Sequence, residues 1–181
     1  MFEVFYISKC EMEVQMLKPQ ELFILVALSG REDTEWTYAQ LASDLQMPTS
    51  QVFKSLERAE AAGLFVREKR RVIRRNLLEF LIHGARYSFA VKPGRVTRGI
   101  PAGWGAPGLS GVMLETTEEY VWPHATGSVR GQEVAPLHDS LPMVASQHPK
   151  LHALFALVDI IRVGSARERK VAAAELEKRL E

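Results

Sequence analysis

The sequence predicts an α+β fold, with a mainly helical N-terminal part and a small β-containing, helix-ended C-terminal region. Apolar residues recur at helical spacing before residue 84. Six of the twelve glycines and three of the nine prolines then fall within residues 86–111, a composition typical of turns. Beyond them, short β-like runs precede two helical patterns. We therefore divide the chain into residues 1–84, a basic connector at 85–111 and a C-terminal region at 112–181.

The composition is that of a soluble globular protein, with 46% hydrophobic and 25% charged residues. No run reaches the ~18 apolar residues of a membrane span, and the first residues lack the basic start and the cleavage site of a signal peptide. Cys10 is the only cysteine, which excludes an internal disulfide and a zinc site built from cysteines of one chain. We expect a cytoplasmic protein that does not enter a membrane.

Charge is unevenly distributed along the chain, although the net value is only +1. Residues 1–49 contain 3 Lys and Arg against 8 Asp and Glu, a net of −5. Residues 50–99 contain 12 against 4, a net of +8, and residues 100–181 contain 8 against 10, a net of −2. Positive charge gathered into one segment is expected of an element that binds a polyanion.

Two helices are predicted before residue 48. KPQELFILVALSG is an apolar run that begins at Pro19, which suits a first helical turn, and ends at Gly30. TYAQLASDLQ has apolar residues on one helical face, and Thr37 is placed to cap it. Pro48 then interrupts the helical pattern, because it disfavours a helical residue before it.

A third helix is predicted over about residues 50–62, in SQVFKSLERAEAAG. Its inward-facing residues are predicted to be Val52, Phe53, Leu56 and Ala59. Gly63 is placed to end it, and Leu64 to Val66 form a brief strand.

The stretch YAQLASDLQMPTSQVFKSLERAEAAGLF resembles the helix-turn-helix core of winged-helix regulators of the MarR family. The likeness rests on the order helix, tight turn, helix and Gly-Leu entry into a strand, and it covers about thirty residues strongly. It implies a winged helix-turn-helix DNA-binding domain whose third helix enters the major groove. The residues of this helix predicted to contact DNA are Thr49, Ser50, Gln51, Lys54, Ser55 and Arg58.

The segment after the third helix is strongly basic. Its cations are Arg67, Lys69, Arg70, Arg71, Arg74 and Arg75. Helical spacing from Val72 to Leu81 predicts a shortened wing followed by an added helix, in contrast to the full hairpin of the family. On such a helix Arg70 and Arg74, or Arg71 and Arg75, lie one turn apart and form a positive strip that suits phosphates. The alternative is a solvated face whose arginines pair with the acidic N-terminal segment.

The C-terminal region is predicted to contain strands and then two helices. The strand candidates are Val112 to Thr116, Glu119 to Trp122 and Ser128 to Val134. LHALFALVDIIRVG carries an apolar face that includes Leu151, Leu154, Phe155, Val158 and Ile161. The last helix, in SARERKVAAAELEKRLE, opens with the capping-box residues Ser165 and Glu168.

GWGAPG, at residues 103–108, satisfies the dinucleotide-binding pattern G-x-G-x-x-G. Its surroundings do not match those of the motif, which needs a buried strand before it and a helix after it. RVTRGIPA before it is polar and interrupted by Pro101, and no helix is predicted after it. We expect a turn-rich connector in which Lys92, Arg95 and Arg98 contact backbone phosphate.

No constellation of residues predicts catalysis, a metal or a cofactor. His148 and His152 are four residues apart, with His138 or Asp139 as neighbours, but Pro149 intervenes and a third ligand is not evident. Cys10 has no histidine close in sequence, and Ser110 lies in GLSG, not in a nucleophile elbow. We expect a protein that is not an enzyme.

The sequence therefore predicts a sequence-specific regulator of transcription that binds double-stranded DNA as a homodimer, since two-fold proteins match two-fold operators. One alternative is a winged-helix adaptor, antitoxin-like, that binds a protein partner through its C-terminal region. Another is an RNA-binding protein in which Tyr120 and Trp122, beside Arg130, stack on bases.

Overall fold

A computed structural model describes residues 16–31, 35–112 and 119–180. It is a mixed α+β structure, as the sequence predicts. The N-terminal part begins with three helices, α1 (Pro19–Ser29), α2 (Tyr38–Asp44) and α3 (Thr49–Ala61). In the described part of the chain, none of the helices combines the length and the apolarity needed to cross a membrane.

Local capping signals place the ends of these helices. Pro19 occupies the first turn of α1. The Thr37 side chain accepts a hydrogen bond from the Gln40 amide while the Gln40 side chain accepts one from the Thr37 amide, a capping box that confirms the predicted start of α2. Gly63 follows α3 with φ +71°, a left-handed conformation that glycine adopts without steric cost.

A short hairpin and a helix follow α3. β1 (Phe65–Val66) pairs antiparallel with β2 (Arg71–Val72), and α4 (Arg74–Glu79) begins two residues after the hairpin. The predicted helical spacing is therefore wrong for its first members, since Val72 lies in β2. A wider π-helical turn (Phe80–Gly84) and α5 (Ala85–Ser88) continue from α4.

The segment predicted as a loose connector contains the central strand of a small sheet. β3 (Val96–Pro101) pairs antiparallel with both β4 (Tyr120–Pro123) and β5 (Val129–Glu133). β4 and β5 pair in parallel, so the three strands close on themselves. The interpretation of RVTRGIPA as a non-strand segment is wrong.

Glycine allows these strands to approach closely. A Cβ atom on Gly99 would lie 2.2 Å from the carbonyl oxygen of Trp122, and one on Gly127 would lie 2.3 Å from the backbone of Gly99. Any larger residue would push the strands apart.

GWGAPG follows β3 as a series of turns, and the described residues directly after it, 109–112, are not helical. Trp104 is buried, and its indole N–H donates to Glu168 in the last helix at 3.1 Å. The segment is thus a packed turn of the sheet and not a phosphate-binding loop.

Three helices complete the chain: α6 (Leu141–Gln147), α7 (Pro149–Val163) and α8 (Ala166–Leu180). The capping box of Ser165 and Glu168 is present, which confirms the predicted start of α8. Helix α6 was not predicted. The predicted strand Val112 to Thr116 lies almost entirely outside the described residues.

One hydrophobic core joins the two parts of the chain. Every residue of α7 from His152 to Arg162 is buried, because α1, α5, α6 and α8 surround it. The rings of Phe23 in α1 and Phe155 in α7 lie 5.3 Å apart. The core therefore continues across the predicted boundaries at residues 85 and 111.

An ionic cluster lies inside this core. The Arg162 guanidinium donates to the Asp159 carboxylate and to the carbonyl oxygens of Phe89 (2.9 Å) and Ala135 (3.1 Å). The Trp122 indole N–H donates to the other Asp159 oxygen at 2.6 Å. Burial raises the pKa of Asp159, and both donors oppose that shift because they favour the ionised carboxylate.

Candidate nucleic-acid interface

The turn between α2 and α3 sets the position of the predicted recognition helix. Gln46 adopts φ +53°, and the Met47 amide donates to the Ala42 carbonyl at 2.9 Å, which reverses the chain within four residues. Leu41 and Leu45 on one side and Val52 and Leu56 on the other are buried, so the two helices pack together. The first turn of α3 is left at the surface.

Three of the six predicted contact residues of α3 face solvent. Thr49, Ser50 and Lys54 are exposed at and near the start of the helix. The Gln51 and Val52 amides donate to the Pro48 carbonyl, so the amides of Thr49 and Ser50 are the ones left without a helical acceptor. Together with two hydroxyls and one ammonium group, they give this end of α3 several donors for an anionic ligand.

Ser55 is not part of that surface, and its prediction as a DNA-contacting residue is wrong. The side chain is fully buried, and its oxygen accepts hydrogen bonds from Gln20 of α1 (2.7 Å) and from Arg58 (3.2 Å). A hydroxyl can occupy the α1–α3 interface because the neighbouring helix supplies partners for it.

Arg58 is also turned towards α1. Its guanidinium donates to one carboxylate oxygen of Glu21 at 2.6 Å and 3.2 Å, and the Lys18 amide donates to the other oxygen. Glu21 is fully buried, and the Arg58 side chain is 17% exposed. Arg58 neutralises a buried carboxylate, so in this structure its guanidinium is engaged with α1 and does not face the surface predicted to contact DNA.

Gln51 connects α3 to the C-terminal region. Its side-chain amide donates to Gln20 at 2.8 Å and lies 3.5 Å from the His138 ring. The His138 ring stacks on Phe23 with centroids 5.3 Å apart. Burial lowers the pKa of His138, and Asp139 partly opposes the shift. Gln51 is only half-buried, but its polar atoms already have partners inside the protein.

The hairpin lies against the exposed face of α3. Arg67 donates to Glu60 at 2.7 Å and 2.9 Å, lies 3.4 Å from Glu57, and sits over the Phe53 ring at 5.7 Å. These bonds hold the pKa of Glu60 below its usual range. Phe53, predicted to point inward, is 40% exposed because it forms the surface on which Arg67 lies. Arg67 is therefore neutralised within the protein.

The other hairpin cations are open to solvent. Arg70 adopts φ +47° at the end of the turn, donates to the Trp36 carbonyl at 3.0 Å and lies 5.9 Å from the Tyr38 ring. Lys69 and Arg71 are exposed and form no ion pair with the described residues. Arg70 and Arg71 belong to the hairpin, so the predicted strip of arginines one helical turn apart does not form.

Arg74 and Arg75 begin α4. Arg74 donates to the carbonyl oxygens of Ser29 (3.2 Å) and Leu180 (3.3 Å), at the ends of α1 and α8. Such bonds satisfy carbonyls that have no partner within their own helices. Arg75 is exposed and forms no ion pair with any residue in the described ranges.

What remains is a cationic surface made by the starts of α3 and α4 and by the hairpin. Five of its side chains lack a carboxylate partner among residues 16–31, 35–112 and 119–180: Lys54, Lys69, Arg70, Arg71 and Arg75. Ammonium and guanidinium groups at a surface bind phosphate oxygens without chemical change to either partner. The arrangement is thus suited to binding phosphate oxygens.

The cations of the connector, which were expected to contact backbone phosphate, lie apart from the cationic surface. Arg95 lies 3.8 Å from Glu133, while Lys92 and Arg98 are exposed. They flank β3 and not the hairpin.

The stacking surface expected of an RNA-binding protein is not formed. Tyr120 is 8% exposed and Trp122 is fully buried in β4, so neither ring is open to a base. The histidines do not form a metal site either: His148 precedes α7, and the buried His152 ring lies 2.6 Å from the Pro101 carbonyl oxygen. No cluster of metal-ligating side chains occurs in the part of the chain that the structure describes.

No family model, curated protein or solved structure matches the chain. The site must therefore be judged on its own geometry.

Sequence reasoning missed the acidic partners that remove arginines from the surface. Asp159 and Arg162 stand three residues apart in the apolar run of α7, whereas Glu21 lies in the first turn of α1, directly before its apolar run. A charge in the middle of an apolar helix is a signal of a buried pair, and it could have identified Asp159 and Arg162 but not Glu21.

Proposed function

We propose that the protein is a regulator of transcription that binds double-stranded DNA through the start of α3 and the neighbouring hairpin. The contact of Arg67 with Phe53 and Glu60 carries this proposal. It holds the cationic turn of the hairpin beside the exposed face of α3. A helix and a cationic hairpin on one surface can reach a groove and the flanking phosphates at the same time.

Within this proposal the roles of the residues are divided. Ser50 and Lys54 enter the major groove with the first turns of α3, where they reach base edges and phosphates. Lys69, Arg71 and Arg75 bind backbone phosphates and supply affinity without sequence preference. A single short helix reads few bases, so we propose that two copies bind a two-fold operator, as regulators resembling the MarR family would.

The test is the salt dependence of binding to a fluorescently labelled random-sequence duplex of about thirty base pairs, followed by anisotropy. Lys54→Gln removes the ammonium group of α3. Lys170→Gln is the matched control, because Lys170 is an exposed lysine of α8 that forms no ion pair with the described residues. We expect Lys54→Gln to lower the log-log salt slope by about 0.9, the value for one phosphate contact, and Lys170→Gln to leave it unchanged.

Two results would overturn the proposal. One is the absence of binding by the wild type at low salt. The other is an equal effect of the two substitutions, because that would reflect net charge and not a contact made by α3.

One observation favours an adaptor as the second candidate. Phe53 is 40% exposed and Glu57 and Glu60 lie beside it, so the middle of α3 offers apolar and acidic groups of the kind that protein interfaces use. A wild-type chain that stays folded but fails to bind the duplex even at low salt would favour this reading.

A further inference from the structure

A cleft of about 310 Å³ lies between the end of α1 and the hairpin. Four arginines line it, and we call it the arginine cleft: Arg31, Arg70, Arg71 and Arg74, with Ser29 and Trp36. These residues come from three separate segments of the chain. The fold therefore brings together four guanidinium groups that the sequence holds up to 43 positions apart, from residue 31 to residue 74.

Two of the four arginines keep a charge that no described carboxylate neutralises. Arg31 pairs with Asp44. Arg70 and Arg71 form no ion pair with any described carboxylate. Arg70 and Arg74 donate to backbone carbonyls, which fixes their guanidinium groups in place.

Ser29 is a buried polar residue in the wall of the cleft. It lines the cleft and is 5% exposed. In the part of the chain that the structure describes, its hydroxyl oxygen is the only buried side-chain polar atom with no hydrogen-bond partner. A buried hydroxyl without a partner is costly, and an acceptor oxygen placed beside it would satisfy it.

We propose that the arginine cleft binds a phosphate group. Four guanidinium groups offer more donors than the two oxygens of a carboxylate can accept, whereas a phosphate presents at least three anionic or acceptor oxygens. Planar guanidinium groups bind such oxygens in pairs of parallel hydrogen bonds. The cleft thus takes a phosphate as a single bound group, in contrast to the open cationic surface of α3.

This inference goes beyond the proposed function, because Arg31 and Ser29 lie outside the predicted DNA-contacting residues and the cleft would bind a phosphate without DNA. The phosphate can belong to a free phosphate or phosphomonoester, or to the backbone of a duplex. The chemistry is shared, and the experiment separates the two sources.

The first arm is calorimetric titration of inorganic phosphate into the full chain at constant ionic strength, with sodium chloride as the balancing salt. Arg71→Gln removes a cleft arginine that is exposed and makes no ion pair with the described residues. Lys170→Gln is the matched control, because Lys170 is an exposed lysine of α8 that forms no ion pair with the described residues and does not line the cleft. We expect phosphate to bind about tenfold more weakly to Arg71→Gln, and within about twofold of wild type to Lys170→Gln.

The second arm compares Arg71→Gln with Lys69→Gln in binding to the random-sequence duplex, because each change removes one surface cation of the hairpin but only Arg71 lines the cleft. Phosphate binding lost in Arg71→Gln alone supports the cleft with a free phosphate as its ligand. Phosphate that does not bind, together with duplex binding weakened more by Arg71→Gln than by Lys69→Gln, supports the cleft with a backbone phosphate as its ligand.

The inference is overturned if Arg71→Gln behaves like Lys170→Gln in the first arm and like Lys69→Gln in the second. It is also overturned if neither probe binds the wild type. A duplex that fails to bind while inorganic phosphate binds would reject the proposed function alone, so the two failures are distinguishable.

Discussion

Arginines in two regions of the molecule have opposite environments. Arg58 and Arg162 point into the protein, each against a carboxylate with almost no exposure, Glu21 or Asp159. The arginines of the hairpin and of the start of α4 lie at the surface. All of them look alike in the sequence, as cations close to apolar residues.

The difference shows that the partner of a charged side chain, and not its position in a charged run, decides whether that side chain is available to bind a ligand. A buried carboxylate must be paired, so it captures an arginine from another element. The hairpin contains more cations than the nearby acidic groups can neutralise, and the surplus remains at the surface. This separation supports assigning the hairpin to binding and the buried arginines to stability.

The buried pair of Asp159 and Arg162 should show the largest effect on stability. Asp159→Asn keeps the volume of the side chain but leaves the buried Arg162 cation without its counter-charge. We expect a loss of about 3–5 kcal/mol in the free energy of unfolding, measured by urea denaturation. Asp44→Asn, which breaks the more exposed pair with Arg31, should cost less than about 1 kcal/mol. Equal losses in the two variants would contradict the comparison.

The pair of Glu21 and Arg58 should rank second. Glu21→Gln keeps an acceptor for the Lys18 amide but removes the charge that faces Arg58. Because the Arg58 side chain is 17% exposed, water partly solvates its unpaired charge. We therefore expect a loss of about 2 kcal/mol in the free energy of unfolding. The same urea experiment measures it. A loss as small as that of Asp44→Asn would mean that Arg58 is free to leave α1, and it would restore Arg58 as a candidate for DNA contact.

The residues that sequence reasoning placed correctly depend on local signals. Thr37, Gly63 and Ser165 act within three or four positions of the helix ends they define, so their effect can be derived from the sequence. The exposed residues Ser50 and Lys54 also follow from the period of α3.

The errors depend on contacts between distant segments. Ser55 is buried because Gln20 supplies a partner from another helix. β3 was missed because its polar and glycine-containing sequence becomes a strand only when it pairs with β4 and β5, more than twenty residues later. The arginine cleft was missed for the same reason, since Arg31 is far from the basic run in the sequence.

His152 provides a smaller, pH-dependent test. Burial lowers its pKa, and the hydrogen bond to the Pro101 carbonyl partly opposes the shift. The unfolded chain therefore takes up a proton at a higher pH than the folded chain, and the free energy of unfolding falls as the pH drops below about 6.5. His152→Gln should flatten this dependence between about pH 7 and 5.5, by at most about 1.4 kcal/mol per pH unit because one proton is involved.

The control for His152 is His83→Gln, at an exposed position of the π-helical turn. Urea denaturation at several pH values measures both variants. A profile that His152→Gln leaves as steep as that of the wild type would show that burial of this histidine is not what couples stability to pH.

The smallest effect on stability is expected at the surface arginines. Arg75 is exposed and forms no ion pair with the described residues, so Arg75→Gln should change the free energy of unfolding by less than about 0.5 kcal/mol. The same substitution should lower the salt slope for duplex binding by about 0.9, because a cation that stabilises nothing inside the protein can still displace counterions from a phosphate. Urea denaturation and anisotropy across a salt series measure the two quantities on one sample. A loss of stability comparable to that of Glu21→Gln would place Arg75 with the buried arginines and remove it from the cationic surface.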